Sequence, residues 1–276
     1  MTTIVVGTDG SGGSVAALSW AVHQAQLTGT PVHLISAWTV PPVATFSLPP
    51  STLDEFRQVA EASVERTMSA VPTLGVEVTG EVIEGPAADV LCQAVGPDDL
   101  LVVGTRGAGG FERLLLGSVT RAVLHHTHAP TVVVRAGMPF AQEGHDHTVV
   151  VGVDAATSSR RALVAAVEAA RQRGAACIAV HACQLGIAAG SLVAAHAAAA
   201  MTEAAEQQLA SRIDDVETEV KVEGRAVMGP PAATLLELST GADLLVVGRR
   251  THGWLGSVAV ACAEHAACPV LVMPPG

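Results

Sequence analysis

Along the chain, short runs of valine, leucine and isoleucine bounded by glycine alternate with longer alanine-rich stretches. Runs such as DLLVVG at Asp99–Gly104 and PTVVVR at Pro130–Arg135 show no polar alternation. That pattern predicts strands covered on both faces. Strands that alternate with helical stretches predict βαβ units, a parallel sheet and right-handed crossovers with helices on both sides. The first half yields five strands, at about 3–7, 31–37, 75–83, 99–103 and 130–135, with an equivalent set in the second half. The expected fold class is therefore α/β, with two tandem, doubly wound, five-stranded parallel sheets.

The tandem reading comes from an internal repeat. TIVVGTDG at Thr3–Gly10 matches TVVVGVDA at Thr148–Ala155, an offset of 145. VHLISAW at Val32–Trp38 matches CIAVHAC at Cys177–Cys183, and EGPAADVL at Glu84–Leu91 matches MGPPAATLLEL at Met228–Leu238. The offset is 144 from Asp99 to Asp243 but only 139 from Ser118 to Ser257, so the second copy is five residues shorter between those points. The expected division is a first domain over 1–136, a linker over 137–147 and a second domain over 148–276. The linker carries His145 and His147, which read as solvated residues because no cysteine or carboxylate set stands at ligand spacing. His125, His126 and His128 sit near the end of a predicted helix, where imidazolium suits the dipole.

Composition narrows the partners. At 276 residues the chain has room for two cores, and 49% hydrophobic against 15% charged residues marks a packed protein. A net charge of −11, with Lys221 the only lysine, argues against nucleic-acid backbone binding. The five cysteines form no CxxC pair, and together with a basic-free start they point to reduced thiols and a cytoplasmic location. The uncharged stretches 10–53 and 174–202 are interrupted by proline or by polar residues and alanine, so no membrane span is expected.

Candidate chemistry falls at the carboxyl ends of strands, where open α/β sheets bind ligands. One segment follows strand 1, Gly7-Thr8-Asp9-Gly10. The other follows strand 4, where Gly104-Thr105-Arg106-Gly107 is separated by nine residues from Gly117-Ser118-Val119. Glycines let a backbone turn tightly against a ligand. Successive amides make an anion nest, and a helix opening at Gly117-Ser118 presents free N–H groups to phosphate. Arg106 and Arg113 add positive charge. Each glycine alone is also explained as a strand end, and Gly117-Ser118 or Asp9 as a helix cap. It is the ordered combination that points to a polyphosphate. A Walker loop needs Gly-Lys-Ser/Thr and a dinucleotide fold needs GxGxxG after strand 1; neither is present.

The G-x2-G-x9-G-S arrangement of Gly104, Gly107, Gly117 and Ser118 resembles the ATP-binding signature of universal stress proteins. VVGTDGS, LLLGSVTRAVL and the closing APTVVV and CPVLVM segments extend the resemblance over both halves. It implies strand order 3-2-1-4-5 and an ATP-binding (or ADP- or AMP-binding) stress-response regulator whose nucleotide occupancy modulates conformation or partner binding. It also implies pairing of the two halves, or of two chains as a homodimer, along edge strands. By this resemblance Gly7, Thr8 and Asp9 meet the adenosine end and the backbone near Ala37 meets adenine. Val103, Gly104, Thr105, Arg106 and Gly107 line the ribose and phosphates, with Arg113 nearby. Gly117, Ser118 and Val119 hold the phosphate tail, with Mg²⁺ bridging phosphate oxygens rather than bound by protein ligands.

In the second half Gly152, Asp154, Gly248, Gly256, Ser257 and Val258 occupy the matching positions. Thr251 replaces the second motif glycine, and four residues stand where nine stood, so weak nucleotide binding or none is expected there. Three enzyme or signalling readings compete with a binding protein. A slow ATPase or phosphotransferase has only Asp9 as an obvious carboxylate near the phosphates. An ATP pyrophosphatase needs an SGG-x-D-S loop, and Val15-Ala16 break it after Ser11-Gly12-Gly13-Ser14. A phospho-receiver needs a lysine after strand 5, where Arg135 and Met273 lie. Trp20 reads as core, Trp254 as a cover over the shortened loop, and 38–50 as a proline-rich flap.

Overall fold

In the computed structural model, residues 1–40, 50–107, 115–138, 147–154, 157–184, 192–249 and 257–275 are described. The expected flap, Arg113, His145, Thr251, Trp254 and Gly256 lie outside them in whole or in large part. The chain divides into two compact units, Met1–Met138 and Pro139–Gly276.

The first unit runs β1 (Ile4–Gly7), α1 (Gly12–Thr28), β2 (Val32–Trp38), α2 (Pro50–Ala70), β3 (Val78–Glu84), α3 (Ala87–Gln93), β4 (Leu100–Gly104), α4 (Ser118–His126) and β5 (Thr131–Val134). Its strands lie in the order β3-β2-β1-β4-β5, all neighbours parallel. The central strands are buried almost end to end, as parallel strands sandwiched by helices must be. The edge strand β3 is largely exposed and carries Glu81 and Glu84, which discourage pairing with a stray strand.

The second unit repeats the plan. It runs β6 (Thr148–Gly152), α5 (Thr157–Arg173), β7 (Ala176–Cys183), α6 (Leu192–Asp214), β8 (Val222–Met228), α7 (Pro231–Leu238), β9 (Leu244–Gly248), α8 (Ser257–His265) and β10 (Val270–Met273). Its order is β8-β7-β6-β9-β10, again parallel.

Most first-unit strand limits fall within one residue of the sequence reading. β3 is the exception, starting at Val78 rather than near 75. Leu74 and Gly75 both have positive φ (51° and 85°), and Val76 N–H donates to the Thr73 carbonyl, which closes a turn just before the strand. The apolar residues there belong to that turn. Trp20 is buried in the core at 2% exposure, and no described helix is long and apolar enough to cross a membrane.

Each unit ties its first strand to its fourth through one aspartate. Asp99 Oδ1 accepts the Thr3 N–H at 3.0 Å and the Thr2 hydroxyl, while Oδ2 accepts the Gly96 N–H at 2.9 Å. In the second unit Asp243 Oδ2 accepts the Thr148 N–H at 3.1 Å and sits 3.0 Å from His147 Nδ1. Burial works to raise the pKa of Asp99, but the three donated hydrogen bonds outweigh it and hold the carboxyl below its ordinary value. A depressed folded pKa stabilises the fold above the unfolded value, and that contribution is lost as pH falls through the folded one. Asp99→Asn should therefore lower stability at pH 7 by about 1 kcal/mol. The deficit should shrink toward pH 3. Thermal melts of the two proteins at both pH values check this, and an equal gap at both would contradict it.

Candidate nucleotide-binding cleft

The carboxyl ends of β1 and β4 lie side by side because the strands pair in the sheet, and the start of α1 closes onto β4 with no side chain between the two backbones. A Cβ built on Gly104, the last residue of β4, would lie 2.8–3.0 Å from the backbone of Gly13 in the first turn of α1. A Cβ on Gly13 would in turn strike the Arg106 carbonyl oxygen. Only glycine at both positions lets the α1 N-terminus seat on the strand end. Ser11 caps α1, its hydroxyl accepting the Ser14 N–H at 3.3 Å. The Asp9 Oδ1 accepts the Ser11 N–H at 3.1 Å, which folds the loop after β1 back over the helix start.

On the other side, β4 runs into the glycine loop. Thr105 N–H continues the sheet by donating to Val134 O at 2.8 Å, and Thr105 O accepts Gly117 N–H at 2.7 Å. The Thr120 hydroxyl closes onto Gly104 O at 2.7 Å. These bonds, with Leu116 buried at 2% exposure, hold the start of α4 against the end of β4. That explains the Leu-Gly-Ser-Val string: an anchoring leucine, then an N-cap and a helix start. A Cβ on Gly107 would collide with the Asp9 carboxylate, so this glycine lets Asp9 and the loop backbone share one wall. Gly117 differs. Its φ of −69° suits any residue, and a Cβ there would make ordinary contacts of 3.4 Å to Thr105 O and 3.9 Å to Gly107 N.

The result is a cleft of about 440 Å³. Gly7, Thr8, Asp9, Ala37, Val103, Gly104, Arg106, Gly107, Gly117, Ser118 and Val119 all line it. Of the expected residues, Thr105 does not: its side chain is buried at 4% exposure and its role is the backbone bonds described above. Arg113 is outside the described residues. The reading missed the polar lining residues Ser11, Ser14 and Thr120 and the apolar ones Ile35, Ala87 and Leu91. Ser11 and Ser14 were legible as a serine cap three residues before a second serine; the apolar residues carried no signal apart from core. Thr8 is fixed by a buried hydroxyl pair with Thr67 of α2 at 2.7 Å.

A second cleft of about 520 Å³ occupies the matching place in the second unit. Gly152, Asp154, Gly248, Ser257 and Val258 line it, and Gly256 lies outside the described residues. Here the aspartate turns to a different partner. The Ser159 hydroxyl donates to Asp154 Oδ1 at 2.5 Å, and Asp154 N–H meets the same hydroxyl oxygen at 2.9 Å. Among the described residues no cysteine lines either cleft, and burial pushes Cys177 and Cys262 up to about 12 and Cys268 to about 11. Among the described residues no group of three or more His, Cys, Asp or Glu could hold a metal ion.

With this geometry in hand, the universal stress protein family model matches residues 1–135 and again 147–274. The chain belongs to the universal stress protein family. A universal stress protein of Mycolicibacterium smegmatis is 31% identical over 99% of this chain and 97% of its own length. The fold matches the crystal structure of a universal stress protein from Archaeoglobus fulgidus, with a TM-score of 0.75 over 99% of this chain and 96% of that one, at 19% identity. A single-domain-sized universal stress protein solved in complex with cAMP is 31% identical over 46% of this chain and 95% of that one, with a TM-score of 0.33. Both units of this universal stress protein therefore carry the family fold.

The steric argument separates the glycines. Gly13→Ala should cost about 1–3 kcal/mol, because backbone must move to admit the methyl group. Gly117→Ala should stay within about 0.5 kcal/mol of wild type. Chemical denaturation of the two variants measures both, and equal stabilities would refute the close approach.

Proposed function

We propose that the first cleft binds ATP and that the protein acts as a nucleotide-responsive stress regulator rather than as an efficient enzyme. The observation that carries this reading is the mixed lining of the cleft. Ile35, Ala37, Ala87, Leu91 and Val103 supply apolar wall suited to a flat, weakly solvated base. The same cleft is lined by Arg106, Gly104 and Gly107 and by residues of the first turns of α1 and α4. Neither helix has an acidic residue in its first turn, and Asp9, just ahead of α1, is the carboxylate beside its N-cap amide.

Asp9 supports a role at the sugar, where a carboxylate accepts from hydroxyls. The donor set also suits Mg²⁺. Mg²⁺ would arrive with the phosphates, and Asp9 and the hydroxyls of Ser11, Ser14 and Ser118, hard oxygen donors lining the same cleft, would be compatible with its hydrated shell. Bound there, Mg²⁺ would neutralise phosphate charge. No lysine lines the cleft, and Asp9 is its sole carboxylate among the described residues, already accepting the Ser11 amide. That supports retention of nucleotide over turnover. Occupancy would favour whichever conformation closes the cleft, by mass action.

Gly117→Ala separates binding from folding. Its methyl group would stand beside the Gly107 amide without disturbing the protein. ATP affinity measured by calorimetry should fall about tenfold or more, equivalent to about 1.4 kcal/mol, while the melting temperature without ligand stays unchanged. Wild type should also be stabilised by ATP, by about 2.7 kcal/mol at a hundredfold excess over Kd. No shift with ATP, ADP or AMP at millimolar supply would remove the reading. Rapid ATP hydrolysis lost in Asp9→Ala would replace it with the enzyme reading.

A further inference from the structure

The turn after β1 rests on α2. Gly10 has a φ of 75°, and a Cβ built on it would lie 2.8 Å from the Arg66 guanidinium and 3.3 Å from the Ser63 Cα. Beside that contact runs a row of hydrogen bonds whose direction follows from counting donors. The Thr67 hydroxyl donates to the Ser63 carbonyl at 2.8 Å. Its single proton is thereby committed, so in the 2.7 Å pair with Thr8 it is the Thr8 hydroxyl that donates. Thr8 Oγ1 in turn accepts the Gly10 N–H at 3.1 Å. The row thus runs from the Gly10 amide through two hydroxyls to the backbone of α2. Thr67 is fully buried and Thr8 nearly so, and a buried hydroxyl left without its partner is costly. The main chain at Thr8–Gly10 is therefore held in one arrangement, and Asp9 lies within it.

The second unit is built without this row. Val153 stands at the repeat position of Thr8 and Arg212 at that of Thr67, and neither has a hydroxyl. The helix alignment is structural as well as sequential. A Cβ on Gly80 would strike Val64 and Met68 of α2, and one on Gly224 would meet Leu209 and Ile213 of α6. In that unit the Ser159 hydroxyl of α5 engages the Asp154 carboxylate and amide. The same fold forms with and without the Thr8–Thr67 pair, so the pair is not a requirement of the fold. It accompanies the cleft in which Thr8 and Asp9 line the wall.

We propose that Thr67, which does not itself line the cleft, is a positioning residue for nucleotide binding. Through Thr8 it holds the turn that aims the Asp9 carboxylate at the ribose hydroxyls. This assignment rests on the reading of the first cleft as an ATP site. Removing the Thr67 hydroxyl releases Thr8, and Asp9, one residue on, loses its aim. The apolar wall for the base and the first turn of α4 stay where they are. The loss therefore falls on the sugar contact.

The test is calorimetry on the full chain with ATP and with 2′,3′-dideoxy-ATP, which lacks both ribose hydroxyls. Thr67→Val keeps the side-chain shape and removes the hydroxyl. It should weaken ATP by about fivefold or more and dideoxy-ATP by less than about twofold. Thr67→Ser restores the hydroxyl and should bind ATP within about twofold of wild type. Circular dichroism first establishes that each variant is folded at the titration temperature, and Thr67→Ala replaces Thr67→Val if the latter is not. Equal losses for the two ligands would overturn the proposal, because a general disturbance of the unit does not single out the sugar. So would an unchanged ATP affinity on loss of the hydroxyl, or a Thr67→Ser protein as weak as Thr67→Val. Those results, with ATP bound to wild type, remove this proposal alone. Failure of wild type to bind ATP removes the reading of the first cleft and this proposal with it.

Discussion

The contact between the backbones of Gly13 and Gly104 is the constraint on which the first cleft depends. A helix N-terminus becomes an anion site only when its free amides face a cavity instead of solvent. Here the start of α1 is pressed onto the end of β4 at a distance that no Cβ permits. The same contact brings Arg106 and Gly107 alongside Asp9, so three separated segments share one wall. Side-chain size at these two positions thus sets how closely α1 seats on the end of β4 in the first unit.

The repeat differs at one of these two positions. Gly248 keeps the position of Gly104, but Ser158 stands where Gly13 stood. Asp154 is drawn to Ser159 in the second unit, whereas Asp9 accepts a backbone amide in the first. The framework beneath is unaffected. Gly7 and Gly152 admit equivalent leucines, Gly80 and Gly224 let α2 and α6 close on the edge strands, and Asp99 and Asp243 pin the first strand of each sheet. Within one chain these scaffold positions are the same in both copies, whereas Gly13 and Gly107 of the first are Ser158 and Thr251 in the second. A fold can tolerate changes at the strand ends because its core lies in the strand centres, as the fully buried Val5, Leu101, Val150 and Leu245 illustrate.

Much of the fold was legible without coordinates because its signals are local. Unbroken apolar runs such as Leu100–Val103 mark strands covered on both faces, and glycine marks where they end. The G-x2-G-x9-G-S spacing and the duplicated segments are equally matters of linear order. The β3 start was misjudged because Val76 is apolar yet belongs to a turn made by the positive φ of Leu74 and Gly75, a conformation that residue type at Leu74 does not announce.

By itself, then, the sequence determined the α/β class, the tandem plan, the strand order implied by the family resemblance and most of the residues along the first cleft. Periodicity and spacing are properties of the chain taken one segment at a time. Only the tertiary structure decided that Thr105 turns into the core while Ser14 and Leu91 face the cleft. It alone showed that Gly13 and Gly104 require glycine on steric grounds while Gly117 does not, and that His181 and Gln184 line a second cavity. Those outcomes depend on which surfaces meet across tens of residues of separation. No local pattern encodes such a meeting, because it is settled by packing between segments that are strangers in sequence.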